Sequence, residues 1–164
     1  MVELNGTELT IEQVMAVARH KEQVRISEPA KQKIDRARAY VDEKLAQKAV
    51  IYGLTTGFGK FSDTFVPEQE TAALQRNLII SHACGMGAPL PCEVVRGAML
   101  LRCNALARGN SGIRLSTLET LLAMLNRGVH PVVPEKGSLG ASGDLAPLSH
   151  IVLVMLGEGE AEYQ

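Results

Sequence analysis

The sequence has 164 residues, and its 17 basic and 18 acidic side chains leave a formal net charge of −1. This balance argues against a nucleic-acid-binding protein, because such proteins usually carry a strong positive bias. Hydrophobic residues make up 46% of the chain, yet no apolar run approaches the ~20 residues of a membrane span, so we expect no membrane partner. The N-terminus shows no secretory pattern, and with cysteines expected to stay reduced this predicts a cytoplasmic protein.

Two helices are predicted near the N-terminus. Residues 10–13 (T-I-E-Q) form a capping box, which opens a helix whose buried positions are Ile11, Val14, Val17 and Ala18. Ser27 is predicted to cap the next helix, in which apolar residues recur at helical spacing: Ile34, Ala37, Val41 and Leu45. Residues 50–61 are expected to form a short strand-like start and then a glycine loop.

Further helices follow, so the fold class predicted is mainly α, in a single domain. Pro67 is expected to begin a helix that carries His82, and Pro91 begins another in which Arg96 and Arg102 are predicted to be surface or interface charges. Residues 116–119 (S-T-L-E) read as a second capping box, and Gly128 suits the end of that helix.

The segment before the last helix is predicted to be extended, because residues that precede proline avoid helical geometry. It covers residues 130–134 (H-P-V-V-P) and leads into a glycine loop. Asp144 is a possible N-cap of an apolar helix over residues 145–156. The remaining histidines have no matched partners and are expected to be structural: His20, His130 and His150.

The glycine loop, residues 137–147 (G-S-L-G-A-S-G-D-L-A-P), is the most informative stretch. Small residues let a backbone bend tightly enough for the nitrogen of Gly143 to reach the carbonyl carbon of Ala141. Attack with loss of water would close a five-membered imidazolone ring. Loss of the Ser142 hydroxyl as a second water would leave an exocyclic methylidene. Such a group is a strong electrophile, which no ordinary side chain provides.

Other interpretations of the glycine-rich segments remain open or fail. The loop could be an ordinary turn before a helix, or an anion site at the helix N-terminus. A nucleophile elbow needs G-x-S-x-G, and Asp144 stands where its last glycine should be. A P-loop ending at Lys60 fails because Leu54 and Phe61 occupy required positions, so we expect no nucleotide. The cysteines lack zinc-ligand spacing, so no metal is expected either.

Five segments together resemble the histidine ammonia-lyases and the wider aromatic amino-acid ammonia-lyase family. The ring-forming signature lies at residues 137–147, a tyrosine-bearing lid loop at 52–59 (Y-G-L-T-T-G-F-G) and a substrate pocket at 74–82 (L-Q-R-N-L-I-I-S-H). Residues 104–109 and 157–161 fit the same pattern, in the same order. The resemblance implies the N-terminal, ring-bearing region of a fumarase/aspartase-like helical lyase.

The resemblance also implies the site. Ala141, Ser142 and Gly143 would form the family's 4-methylidene-imidazol-5-one autocatalytically, with Asp144 as possible support for ring closure. Tyr52 would be the base that removes the β-proton of the substrate. The lid loop around it would include Gly53, Thr56, Gly57 and Gly59.

The substrate expectation depends on His82, which in the family pattern contacts the substrate side chain. A histidine there can hydrogen-bond an imidazole or a phenol, which favours L-histidine, deaminated to urocanate and ammonia. L-tyrosine comes second, and an aminomutase that uses the same ring is a close alternative. A different alternative is a catalytically silent fragment in which Ser142 stays intact.

Family members are longer, and their central helical bundle would follow residue 164. We therefore expect residues 1–164 to be a single N-terminal domain or a fragment of a longer ammonia-lyase. The remainder of the polypeptide would supply further active-site groups, and the full-length protein would be a homotetramer. On its own the chain is expected to have little or no activity.

Overall fold

Helices make up most of the regular structure, as the sequence predicts. A computed structural model of the chain describes residues 1–57, 59 and 68–164, and within them it shows six helices and six short strands. The helices are α1 (Ile11–Ala18), α2 (Glu28–Ala46), α3 (Glu68–His82), α4 (Cys92–Ala107), α5 (Leu115–Asn126) and α6 (Leu145–Met155). The strands are β1 (Val2–Leu4), β2 (Val24–Ile26), β3 (Met86–Pro89), β4 (Val129–Pro131), β5 (Pro134–Lys136) and β6 (Ala161–Tyr163).

The strands pair two by two and tie distant segments together. β1 and β2 are parallel, with Val2 opposite Val24. β3 and β5 are antiparallel, and Met86 lies opposite Lys136. β4 and β6 are also antiparallel, with Val129 opposite Tyr163. Except for the extended segment before residue 134, these strands were not predicted, because three or four residues are too few to show an alternating pattern.

The core forms around α4, which packs against α1, α2 and α5. Met99, Leu100 and Cys103 on α4 are completely buried, and Val17 of α1 and Leu118 of α5 pack into the same cluster. Burial raises the pKa of the Cys103 thiol to about 12, so this cysteine is a packing residue rather than a nucleophile. Within the described residues, no helix is long and apolar enough to cross a membrane.

The predictions for α1 and α2 are mostly confirmed. The Thr10 side chain accepts from the Gln13 N–H and the Gln13 side chain accepts from the Thr10 N–H, which completes the capping box. Ser27 caps α2 by accepting from the Ala30 N–H. The predicted burial of Ile11 is wrong, since this side chain is 78% exposed. Side chains tilt toward the helix N-terminus, so a residue in the first turn points beyond the core.

The prediction of a second capping box at residues 116–119 is also wrong. α5 begins one residue before Ser116, so Ser116 lies inside the first turn, and Arg114 stands at the N-cap without a side-chain capping bond. Gly128 after this helix has a φ of +72°, the left-handed conformation expected at a helix end. The predicted strand-like start is not found over residues 50–57, which form a turn, and Phe58, Pro67 and residues 60–61 lie outside the described residues.

The sequence predicted that Arg96 is a surface or interface charge, and this prediction is wrong. The residue is 2% exposed and lies inside the core. Its guanidinium donates to the carbonyls of Val17 (2.7 and 3.1 Å) and Ala18 (3.2 Å) at the end of α1. It also donates to the carbonyl of Leu125 (3.0 Å) at the end of α5. The last carbonyls of a helix have no partner within it and carry partial negative charge. A single guanidinium on α4 therefore caps the C-terminal ends of both α1 and α5.

Replacing Arg96 with Met tests this arrangement. The aliphatic stem is roughly preserved, but the buried carbonyls lose their donor, and hydrogen bonds to a charged group contribute about 1.5–3 kcal/mol each. We expect the free energy of unfolding in urea to fall by about 3 kcal/mol or more. The control is Arg19→Ala, which removes an exposed ion pair with Glu93 and should cost at most about 1 kcal/mol. Equal losses in the two variants would contradict the assigned role.

His130 is a second polar group in the core, 2% exposed, and neither of its ring nitrogens has a hydrogen-bond partner among the described residues. Burial, followed by the positive charge of Arg96, lowers the pKa of its imidazole, which is therefore neutral in the folded chain. The unfolded chain takes up a proton near the ordinary pKa of about 6.5, so it binds more protons than the folded chain below that pH.

The stability of the fold should consequently decrease as the pH falls from 7 toward 5. His130→Phe removes this proton uptake, so the unfolding free energy of the variant should depend less on pH over that window. Urea denaturation at several pH values measures both slopes. A His130→Phe slope as steep as that of the unsubstituted chain would show that His130 does not cause the dependence.

Candidate functional site

The triad Ala141, Ser142 and Gly143 lies in the loop between β5 and α6. The pairing of β3 with β5 places Lys136 opposite Met86, only four residues after His82. A Cβ built on Gly137 would lie 3.3 Å from the Cα of Gly85, so the two segments are in close approach where the loop begins. The backbone therefore brings the end of α3 and the start of the triad loop together.

The triad loop has the conformation that its glycines permit. Gly140 and Gly143 have φ values of +79° and +73°, in the left-handed region that other residues rarely adopt. No atom of the described residues lies within 4 Å of a Cβ built on either residue, so among them the backbone conformation and not crowding calls for glycine here. Ala141 and Ser142 are exposed. The tripeptide is thus small, sharply turned and open to solvent.

Asp144 takes the predicted N-cap position of α6, but its side chain makes no capping bond. Its Oδ1 accepts a hydrogen bond from the Ser142 hydroxyl, and its Oδ2 accepts from Nη2 of Arg102 at 2.9 Å. The hydrogen bond from Ser142 and the charge of Arg102 lower the pKa of the Asp144 carboxyl, which is therefore ionised at neutral pH. Arg102 was predicted to be a surface or interface charge; it is half-exposed and is paired with the residue next to the triad.

Tyr52 lies in a turn that is held largely by threonine side chains. The residue is 63% exposed, and its hydroxyl accepts a hydrogen bond from the Gly59 N–H at 3.2 Å. The Thr56 hydroxyl is buried, accepts from the Gly53 N–H at 3.2 Å and donates to the Gly57 carbonyl at 3.0 Å. Two sets of hydrogen bonds therefore hold the predicted lid-loop residues: Thr56 with Gly53 and Gly57, and Tyr52 with Gly59.

His82 is the last residue of α3 and is half-buried. Its Nδ1 lies 2.8 Å from the Leu78 carbonyl oxygen, which can only accept, so the tautomer protonated at Nδ1 fits this contact. In that tautomer Nε2 is an acceptor, and it has no hydrogen-bond partner among the described residues. α3 packs against α6, the helix that begins directly after the triad.

Two of the sequence segments matched to the family are joined by an ion pair. Arg76 on α3 contacts Glu158 through two hydrogen bonds, from Nε to Oε1 at 2.8 Å and from Nη2 to Oε2 at 3.0 Å. Nε2 of His150 on α6 accepts from the Gly85 N–H at 3.0 Å, so this histidine is structural, as predicted. These contacts fix the end of α3 beside α6.

Two pockets formed by the described residues are not lined by the triad. A polar pocket of about 490 Å³ is lined by Lys33, Arg36 and Arg108, none of them predicted site residues. An apolar cavity of about 320 Å³ lies between α4, α5 and α6, and the side chain of Arg102 forms part of its wall. The assignment of the site therefore depends on the triad loop and its hydrogen bonds, not on an enclosed cavity.

A sequence model of the aromatic amino acid lyase family matches residues 9–164. The chain belongs to this family. A curated lyase of this kind, the histidine ammonia-lyase of Alkaliphilus oremlandii, is 61% identical over 161 residues, which cover 98% of this chain and 32% of that protein. The chain spans about a third of the length of the curated relatives it matches, 32% in each of the first three.

Two solved structures share the fold. The ergothionase of Treponema denticola, an ergothioneine-degrading enzyme, superposes with a TM-score of 0.94 and 36% identity, over 99% of this chain and 33% of that one. The histidine ammonia-lyase of Trypanosoma cruzi superposes with a TM-score of 0.89 and 40% identity, over 99% of this chain and 30% of that one. The mainly helical fold class predicted from the sequence is confirmed.

The turn around Tyr52 provides a local test of the site. Thr56→Val keeps the shape of the side chain but removes the hydroxyl, so the Gly53 N–H loses its acceptor and its hydrogen exchange should become faster. Thr56→Ser retains the hydroxyl and should restore slow exchange. The Ile51 N–H, which donates to Thr55 Oγ1 at 2.9 Å, serves as the internal control and should change little in either variant. Unchanged exchange at Gly53 in Thr56→Val would contradict the contact.

Proposed function

We propose that this chain carries the electrophile-forming segment of an ammonia-lyase that converts L-histidine to urocanate and ammonia. The observation that supports it most strongly is an Ala-Ser-Gly tripeptide that follows the left-handed Gly140 and ends at the left-handed Gly143, in a chain 61% identical to a relative named histidine ammonia-lyase. The reaction cleaves a carbon–nitrogen bond of a free amino acid, and we propose that it takes place in the cytoplasm.

The residues present fit a 4-methylidene-imidazol-5-one formed from Ala141, Ser142 and Gly143. Ring closure requires small residues, a sharp turn at Gly143 and a serine hydroxyl held in a defined position, and the loop provides each of these. Once formed, the ring would supply an electrophile for the substrate amino group, which would make the nitrogen a better leaving group. No metal and no nucleotide is part of this proposal.

The other half of the reaction is removal of a proton from the substrate β-carbon, which we assign to Tyr52. Its hydroxyl oxygen accepts from the Gly59 N–H, which holds the phenol within the turn. The glycines that follow it, Gly53, Gly57 and Gly59, allow the turn to approach a substrate closely. His82 would contact the substrate side chain, because its Nε2 can accept a hydrogen bond from the N–H of an imidazole.

The described residues alone leave the site open to water. Tyr52 and Ser142 are both exposed, whereas elimination chemistry benefits from a site that excludes solvent. We propose that the remaining length of a full-sized lyase, with its helical bundle and its homotetrameric assembly, closes the site and supplies further binding groups. Residues 1–164 by themselves would then turn over little or no substrate.

The decisive experiment uses a chimera in which residues 1–164 replace the matching part of the Alkaliphilus oremlandii relative. We expect its intact mass to be lower by two waters, a new near-ultraviolet absorbance, and formation of urocanate from L-histidine. Ser142→Ala cannot lose the second water, so the absorbance should disappear and kcat/KM should fall by about 10³-fold or more. Ser138→Ala, an exposed serine of the same loop, is the matched control and should change neither.

The same chimera separates the alternatives. Faster turnover of L-tyrosine than of L-histidine, or a β-amino acid product, would favour the tyrosine lyase or the aminomutase. An unchanged mass in a folded chimera would support the silent fragment and would contradict the proposed function.

A further inference from the structure

Arg102 connects the most buried helix of the chain to the triad loop. It lies on α4, whose neighbouring residues Met99 and Cys103 are completely buried, so its backbone is held by the core. Its side chain forms part of the wall of the apolar cavity between α4, α5 and α6, and its Nη2 donates to Oδ2 of Asp144 at 2.9 Å. Forty-two positions separate the two residues in sequence, so only the tertiary fold creates this pair.

The direction of the Asp144 side chain is unusual for its position. An aspartate at an N-cap normally accepts hydrogen bonds from the N–H groups of the second or third helical residue. In α6 the third residue is Pro147, which has no N–H, and Asp144 makes no capping bond at all. Its carboxylate instead accepts from Arg102 with one oxygen and from Ser142 with the other.

These two features act in the same sense. Pro147 has no N–H, so it removes one of the two usual capping donors, and the other is the Ala146 N–H. Arg102 attracts the carboxylate away from this second donor. The carboxylate is ionised because the Ser142 hydroxyl and Arg102 lower the pKa of Asp144, so it can only accept. The Ser142 hydroxyl is consequently held as a donor, which restricts the rotation of its Cα–Cβ bond.

We propose that Arg102 is a positioning residue for ring formation: it turns the Asp144 carboxylate from the end of α6 toward Ser142. This inference rests on the proposed function. In the first condensation the Gly143 nitrogen bonds to the Ala141 carbonyl carbon, whose oxygen leaves as water with the hydrogens of the Gly143 and Ser142 nitrogens. In the second, the Ser142 Cβ–Oγ bond breaks, and the hydroxyl leaves as water with the hydrogen of the Ser142 Cα.

Both waters consist of atoms of the chain, so no co-reactant is needed. The contribution of Asp144 and Arg102 is geometric. The second condensation requires the Cα–H and Cβ–Oγ bonds of Ser142 to keep a suitable relative orientation, and the bond from the hydroxyl to Asp144 maintains one orientation. Without Arg102 the carboxylate is free to rotate toward the Ala146 N–H, and Ser142 loses its acceptor.

The first test follows ring formation in the chimera described above, by intact mass and near-ultraviolet absorbance against time after synthesis. Arg102→Ala should slow the loss of two waters by about tenfold or more, and Arg102→Lys, which keeps a cation, should restore part of the rate. Arg19→Ala removes the exposed pair between Arg19 Nε and Glu93 Oε2 (2.7 Å) and should mature like the unsubstituted chimera. Thermal unfolding midpoints of all variants separate slow maturation from loss of the fold.

The second test does not depend on the ring. In a Ser142→Ala background, adding Arg102→Ala should slow hydrogen exchange of the Ala146 N–H, because Asp144 becomes free to cap it. Equal maturation rates in Arg102→Ala and Arg19→Ala, or unchanged exchange at Ala146, would overturn the positioning role while leaving the proposed function intact. Absence of the mass loss in the unsubstituted chimera would instead overturn the proposed function, and with it the role of Arg102 in ring formation.

Discussion

The burial of α4 is the constraint on which the rest of the described structure depends. One side of this helix is embedded among α1, α2 and α5, and its buried side chains belong to the common core cluster. Arg96 extends from this buried side and closes the ends of α1 and α5 with its guanidinium. Arg102 follows about 9 Å farther along the axis, rotated by about 240°. One rigid helix therefore directs one arginine into the core and the other toward the triad loop.

The three short strand pairs provide a second level of organisation. None has enough residues to be stable by itself, since an isolated two-stranded ribbon is marginal in water. Their value lies in the segments that they join: β3 with β5 brings the end of α3 to the triad loop, and β4 with β6 returns the chain to the end of α5. The contacts of Arg76 with Glu158 and of His150 with Gly85 reinforce the same arrangement. Site residues far apart in sequence are thus placed by backbone register as well as by side-chain packing.

The sequence was sufficient for those features that depend on local chemistry. The Thr10 capping box, the Ser27 cap and the left-handed Gly128 each involve interactions within a few residues, and the structure confirms them. The prediction of the second capping box was wrong because a capping interaction stabilises a helix start less than packing against the core does. Leu115 joins the helix and contacts the core cluster, which moves the start of α5 one residue ahead of Ser116. The short strands could not be predicted, because their partners lie far away in sequence.

The partners of the two arginines on α4 also could not be predicted from the sequence. Arg96 and Arg102 are the same residue type on the same predicted helix, and no periodic pattern separates an arginine that satisfies buried carbonyls from one that meets Asp144. The positions of their partners in the fold decide the difference.

Asp144 illustrates the same point from the partner's side. Its position before an apolar helix predicted a cap, and it does occupy the N-cap, yet its side chain makes other bonds. A local preference of about 1 kcal/mol for capping is small enough for a charge-assisted pair to override, especially where Pro147 has removed one of the two capping donors. Local rules therefore identified the residue correctly, and the tertiary structure determined what its carboxylate contacts.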